Sequence, residues 1–164
     1  AETTRSALDL GLDVVALGEG RFEARARVRN VGAGHHFPTY MVPKVELDFL
    51  RRDADGSTHA LGRQVIGWTV DTQLTREIAD TRIPAGEARE FPVPFAAPRA
   101  AGWKVELVVR VKPGEHYERM FREHLARDAQ LPPQAVSQLR QALADVLSAE
   151  YELTRVVAAP PIAN

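Results

Sequence analysis

The chain has no cysteine among its 164 residues. Disulfides, thiolate zinc sites, cysteine nucleophiles and a Cys-x-x-Cys-His haem attachment are therefore excluded within it. Lysine is scarce, with 3 against 18 arginines, which reads as compositional bias rather than as a functional stripe. Neither sign of charge dominates. The formal net charge is −1, without the basic excess of a nucleic-acid-binding protein. No apolar run approaches the roughly 18 residues of a membrane span. No secretory leader is visible and no Met opens the chain; the start at Ala1-Glu2 is that expected of a processed mature protein or an excised domain. There is no Gly-rich phosphate loop, no Gly-x-Ser-x-Gly elbow and no recognisable pair of catalytic carboxylates. The sequence gives no support for enzymatic chemistry carried by this chain alone.

What is present is an ordinary globular composition, 45% hydrophobic and 26% charged, in a length that suits a single domain over residues 1–164. Leu8, Leu10, Leu12 and Val14 alternate, and Gly18-Glu19-Gly20 reads as a tight turn. Phe22, Ala24, Ala26 and Val28 then alternate with Arg21, Glu23, Arg25, Arg27 and Arg29, the period-two pattern of a half-buried strand. Val45, Leu47 and Phe49 repeat the pattern, and Asp53-Ala54-Asp55-Gly56 marks a hairpin turn. A strand is expected from about Ala60 to Val70, and the stretch from Thr72 to Ile78 is ambiguous. Ile83-Pro84-Ala85-Gly86-Glu87 reads as a turn before a strand over Arg89–Phe95, which Pro92 and Pro94 assign to a sheet edge. Trp103, Val105, Leu107, Val109 and Val111 define a further strand.

From Glu115 to Asp128 the pattern becomes helical, with Glu-to-Arg pairs at Glu115–Arg119, Glu118–Arg122 and Glu123–Arg127. A second helix is expected from Pro133, with Val136, Leu139, Leu143, Val146 and Leu147 in one stripe. The helical segment thus covers about 114–148. A final strand follows at about 150–158, where Tyr, Thr and Val are enriched, and the tail from Ala158 to Asn164 reads as extended. Six or seven strands at short spacing predict a mainly β protein, an antiparallel immunoglobulin-like β-sandwich with two C-terminal helices. Phe22, Val28, Val45, Leu47, Trp68, Trp103, Val105 and Leu107 are its expected core.

One segment stands apart. Asn30-Val31-Gly32-Ala33-Gly34-His35-His36-Phe37-Pro38-Thr39 sets two histidines among two glycines and a proline, directly behind the clearest strand. Such a loop can aim an imidazole, the commonest protein ligand for transition metals and a frequent ligand of haem iron. His35 and His36 are candidate metal ligands or cofactor-facing groups, against the plainer reading that one bonds loop backbone and the other is solvated. His116 opens the first helix and is the further candidate to meet this loop. His59 and His124 read as solvated. Tyr40 and Met41 either line a cofactor edge or pack in the core. Asp53, Asp55 and Gly56 resemble the start of a calcium loop, but position 64 is Gln where the liganding Glu is needed.

The segment Val28–Thr39 resembles the "N-x-G-A-G-H-x-[FL]-P-T-G" stretch of β-sandwich domains attached to bacterial multihaem c-type cytochromes. Asp80-Thr81-Arg82-Ile83-Pro84-Ala85-Gly86-Glu87 is similar to the "D-T-R-I-P-P-G-E" turn of the same family. The order of motif, strand, turn, strand, second motif and strand agrees from Phe22 to Val111. The resemblance implies export to the periplasm or cell surface and a place beside haem. His35 matches the single His of the family motif, His36 falls at a variable position, and Tyr40 stands where the family has Gly. It implies that His35 faces a haem, as an axial ligand or a hydrogen-bonding neighbour, and that this haem belongs to an adjacent domain or subunit.

Three functions follow as expectations. The leading one is a non-catalytic accessory domain or subunit of a multihaem cytochrome electron-transfer system, packing on haem with His35, His36 and Tyr40, and with a haem-bearing cytochrome domain or subunit as partner. The alternative is a periplasmic copper-binding β-sandwich using His35, His36 and His116, with Met41 or Met120. The third is a purely structural or assembly domain.

Overall fold

A computed structural model describes residues 2–98 and 102–161. The chain runs α1 (Glu2–Ser6), β1 (Leu8–Gly18), β2 (Arg21–Asn30), β3 (Lys44–Arg52), β4 (Thr58–Ile66), β5 (Trp68–Val70), β6 (Glu77–Asp80), β7 (Ala88–Ala96), β8 (Lys104–Lys112), α2 (Glu115–Leu125), α3 (Pro133–Ser148) and β9 (Tyr151–Ala158). The protein is mainly β, with antiparallel sheets ordered β1-β2-β7, β4-β3-β8-β9 and β5-β6. The expected tail reaches past the described residues at 162–164.

Period two governs β2. Phe22, Ala24, Ala26 and Val28 are buried, and the arginines between them face outward, where Arg25 and Arg29 stand opposite Asp13 and Asp9 of β1. β7 forms the other edge of this sheet, so Pro92 and Pro94 lie where a missing amide donor is tolerated. The inner faces of β1, β2 and β7 share one core with those of β3, β8 and β9. Phe22, Phe95 and Trp103 close one end of that core, with ring centroids 4.9 to 5.7 Å apart. The loop carrying His35 leaves from the opposite end of β2.

β8 departs from simple alternation. Val105, Leu107 and Val109 are fully buried, but so is Val108, and Glu106 is only 4% exposed. β8 is a central strand, and its outer face lies under long charged side chains whose apolar stems cover it. Glu106 pairs with Arg52 at 2.9 Å and Arg155 at 2.7 Å, while Asp48 on β3 pairs with Arg63 and Arg110. Burial resists ionisation of Glu106, but these cations outweigh it and hold the carboxyl below the usual range.

The helices also differ from the apolar-stripe expectation. The side chains that α2 buries are His116 and Glu118. Glu118 pairs with Lys112 at 2.7 Å and Arg122 at 2.9 Å, and Lys112 also reaches Glu150 at 3.1 Å, so charged contacts fasten the helices to the end of β8. All three expected Glu–Arg pairs form, at 2.8, 2.9 and 3.3 Å. α2 ends at Leu125, earlier than the pattern suggested, and a short 3-10 turn over Asp128–Gln130 leads to α3. The strand expected to run on to Val70 instead breaks at Gly67 and turns into β5, which pairs with β6. Trp68, expected in the core, is therefore only half-buried. It lies in the small sheet beneath the Arg82 guanidinium.

Candidate functional site: a strand-end histidine loop

Asn30 ends β2 fully buried, and both ends of its amide are used. Its Oδ1 accepts from the Ala33 amide at 3.0 Å, while Nδ2 donates to the carbonyls of His35 at 2.8 Å and Ile83 at 3.1 Å. Its main chain accepts from Gly86 and donates to Glu87, both at 2.9 Å. Asparagine suits this place because its short amide can bond neighbouring backbone. Gly32 follows where the amides of residues 31 and 32 donate to the Ala7 carbonyl. A Cβ at position 32 would stand 2.9 Å from the Ala7 Cα.

Beyond the histidines, Phe37 and Pro38 turn inward and are buried, joined by a cis peptide bond. Phe37 and Ile83 exchange backbone hydrogen bonds at 2.8 and 2.9 Å. The two sequence segments around residues 30–39 and 80–87, fifty positions apart, are thus one structural unit.

Arg82 fastens this unit. Its Nε and Nη2 grip the Asp80 carboxylate at 2.9 and 2.7 Å, and Nη1 donates to the Thr39 carbonyl at 3.1 Å. The guanidinium lies 4.6 Å over the Trp68 ring, whose Nε1 donates to Glu77 at 2.8 Å. The hydrogen bond from Arg82 holds the Asp80 carboxyl below the usual carboxylate range.

His35 is exposed. Its Nδ1 lies 2.8 Å from the carbonyl oxygen of His36 and 3.4 Å from Thr39 Oγ1. A carbonyl only accepts, so in the neutral ring Nδ1 carries the proton and Nε2 holds the lone pair. Among the described residues Nε2 has no hydrogen-bond partner. The ring borders a recess of about 250 Å³ lined also by Phe37, Pro38, Pro43, Val45 and Val111. His36 is exposed near Asp80, and Tyr40 is 56% exposed, which removes core packing as its role. Met41 is half-buried, and its carbonyl accepts from Lys44 Nζ at 2.7 Å.

His116 belongs to a different environment. It is 3% exposed, its amide donates to the Val42 carbonyl, and its Nδ1 lies 3.4 Å from Arg119 Nη2. Arg119 can only donate, so this Nδ1 is unprotonated, opposite to His35. Glu115 holds Arg119 at 2.8 Å and Lys44 at 3.3 Å. Burial pushes the His116 pKa down, and Arg119 and Lys44 add to that against Glu115 and Asp71. Burial likewise lowers Lys44, opposed by Glu115. His124 is exposed, and His59 pairs with Asp53 at 3.0 Å on the hairpin turn. Among the described residues no group of three or more His, Cys, Asp or Glu side chains is placed to hold a metal ion, so His35, His36 and His116 form no such group.

Sequence reasoning singled out the histidines but assigned no role to Asn30, Arg82 or Lys44. Asn30 carried a signal, a strand-ending Asn followed by glycines. Arg82 and Lys44 carried none, because the partners that tie them across the fold, Thr39 and Trp68 for Arg82 and Trp68 and Glu115 for Lys44, lie far away in sequence.

Fold and loop together define a β-rich module that presents two adjacent exposed histidines from the end of a sheet, one of them, His35, with its Nδ1 committed to backbone. In fold the chain is similar to a penta-haem cytochrome c552 from Thermochromatium tepidum, with a TM-score of 0.64 and 16% identity over 96% of this chain and 40% of that one. It therefore spans about two fifths of that cytochrome's length, and at this identity the likeness is one of fold. A structural-genomics target, SoR45, aligns at a TM-score of 0.39 with 10% identity, too distant to carry an argument. No family model matches the chain, and no curated protein matches it significantly. As for haem, the free Nε2 of His35 fits an axial ligand, and no cysteine is present to attach the macrocycle covalently.

Proposed function

We propose that this chain is a non-catalytic accessory module of an exported multihaem cytochrome electron-transfer system, of the β-sandwich family its two motifs resemble. It packs against a haem carried by an adjacent domain or subunit and offers His35 Nε2 to the iron. The observation that carries this reading is the His35 ring itself: Nδ1 is committed to a backbone carbonyl, and the exposed ring borders a mainly apolar recess. Metal-ligating histidines characteristically donate their other ring N–H to a carbonyl or carboxylate, which fixes the tautomer and strengthens the ligand. The fold likeness to a penta-haem cytochrome supports the same reading. So does the strand order, since β1-β2-β7 against β4-β3-β8-β9 is compatible with an immunoglobulin-like sandwich.

In this role the chain's residues act by position. Asn30 and the Ile83 backbone hold the loop, the buried Phe37, Pro38 and Val45 seat it on the core, and the half-buried Pro43 borders the recess that would exclude water from a haem edge. Bound there, the haem would supply one-electron chemistry, its potential tuned by axial ligation and burial. The copper alternative gains no support, because its three histidines form no group.

The test uses a ferric c-type haem peptide with one open axial position. Titration with this chain should convert the iron from high to low spin, as read by visible absorbance. His36→Ala should behave as wild type and His35→Ala should give no conversion. Equal conversion by His35→Ala, or none by wild type, overturns the assignment.

A further inference from the structure

An exposed imidazole has two neutral tautomers open to it, and only one leaves Nε2 as a lone pair. The choice at His35 depends on where the His36 carbonyl points. That carbonyl belongs to the planar peptide between His36 and Phe37, whose N–H donates to Ile83 at 2.8 Å. In a trans peptide the N–H and C=O point in opposite directions. Holding the N–H toward Ile83 therefore turns the carbonyl away from Ile83 and toward His35 Nδ1, 2.8 Å away. What fixes the ring is the grip of the 80–83 segment on the 35–39 loop.

We infer that Arg82 is the positioning residue that selects the Nδ1-protonated, Nε2-bare tautomer of His35. Arg82 is the side chain that spans both segments from the second motif. One edge of its fork takes Asp80 bidentately, and the remaining Nη1 takes the Thr39 carbonyl. The Arg82 amide also donates to Asp80 Oδ1 at 3.1 Å, so the same carboxylate fixes backbone and guanidinium together. Trp68 beneath the guanidinium, itself bonded to Glu77, removes the side chain's remaining freedom to swing. The His36–Phe37 peptide cannot rotate without breaking its bond to Ile83, and the Arg82–Thr39 bond ties the far end of the same loop to the 80–83 segment. A lysine would reproduce the charge but not the planar fork, which serves two directions at once.

This deepens the haem-ligand reading and rests on it for its purpose, but its test needs no haem. The ring nitrogens of His35 in the intact chain are assigned by long-range 15N–1H correlation in wild type, Arg82→Gln, Arg82→Lys and Asp80→Asn. Wild type should show a protonated Nδ1 and a bare Nε2. Arg82→Gln and Arg82→Lys should both lose that signature to averaged shifts, and Asp80→Asn should shift partway. Asp80 lies at the exposed end of the clamp, so this variant keeps the test decisive if an arginine variant fails to fold. Affinity for the ferric haem peptide should fall about tenfold in Arg82→Gln, the usual effect of removing a support behind a ligating histidine. An unchanged tautomer in any folded Arg82 variant, or in Asp80→Asn where neither folds, overturns the inference. Loss of the tautomer on mutation, with no haem-peptide binding by wild type, instead overturns the haem reading and leaves the positioning role standing.

Discussion

His35 and His116 both touch the segment that runs from the end of β2 to the start of β3, yet they are opposite in kind. His35 is exposed, protonated at Nδ1 and bare at Nε2. His116 is buried, bare at Nδ1 and set against two cations that disfavour its charged form. Burial and the neighbouring cations lower the His116 pKa, and a shifted group in a cleft is often taken as the sign of a functional site. Here the shift marks a tie between a helix and a loop. A histidine available to a ligand is recognised by a lone pair left over once its other nitrogen is committed, and His35 has that without a buried environment.

The sharpest way to break this contrast is to remove the buried side. Lys44→Ala leaves the Met41 and Trp68 carbonyls without their donor and takes one of two cations from Glu115. Removing one member of a buried, hydrogen-bonded ion pair costs about 3–5 kcal/mol. The urea midpoint should fall accordingly; a loss below about 1 kcal/mol would mean that the cluster is peripheral to stability.

An intermediate effect comes from protons. The His116 pKa is depressed in the folded chain, so the unfolded chain binds the proton first as pH falls. Stability from this group is complete above the ordinary histidine pKa of about 6.5 and is lost as pH drops through that value toward the lower folded one. Thermal unfolding midpoints should decline across this window in wild type, and His116→Gln should flatten that limb. An identical decline in the variant would assign the protonation to other groups.

The smallest stability effect is expected at the exposed histidine. His35→Ala should change unfolding free energy by no more than about 0.5 kcal/mol, as for an exposed side chain outside the core. Its consequence should appear in ligation alone. A loss of several kcal/mol would make His35 a structural residue and erase the contrast with His116.

Much of the fold was readable because β2 and β7 each have one wet face, and period two reports that directly. The sheet edge at β7 followed from Pro92 and Pro94. β8 was legible as a strand but not as a strand buried on both sides, because Glu106 reads as solvated until Arg52 and Arg155 are known to cover it. The break at Gly67 was hidden because Val65, Ile66 and Trp68 continue an apolar run across it. At the candidate site, the glycines and adjacent histidines drew attention to the loop that carries His35. Its fastening to residues 80–87 was invisible, since hydrogen bonds across fifty residues leave no local pattern.

Gly67 has a consequence for ancestry. A Cβ at this position would run into Lys44 Cδ and come within 3.3 Å of the Pro43 carbonyl. The glycine and the buried lysine are therefore coupled: a lineage that places a side chain at 67 would have to move or replace the long one at 44, and with it the anchor of Met41. In descent the two positions should be retained together or abandoned together, and a chain bearing only one of them should have rebuilt the end of its histidine loop.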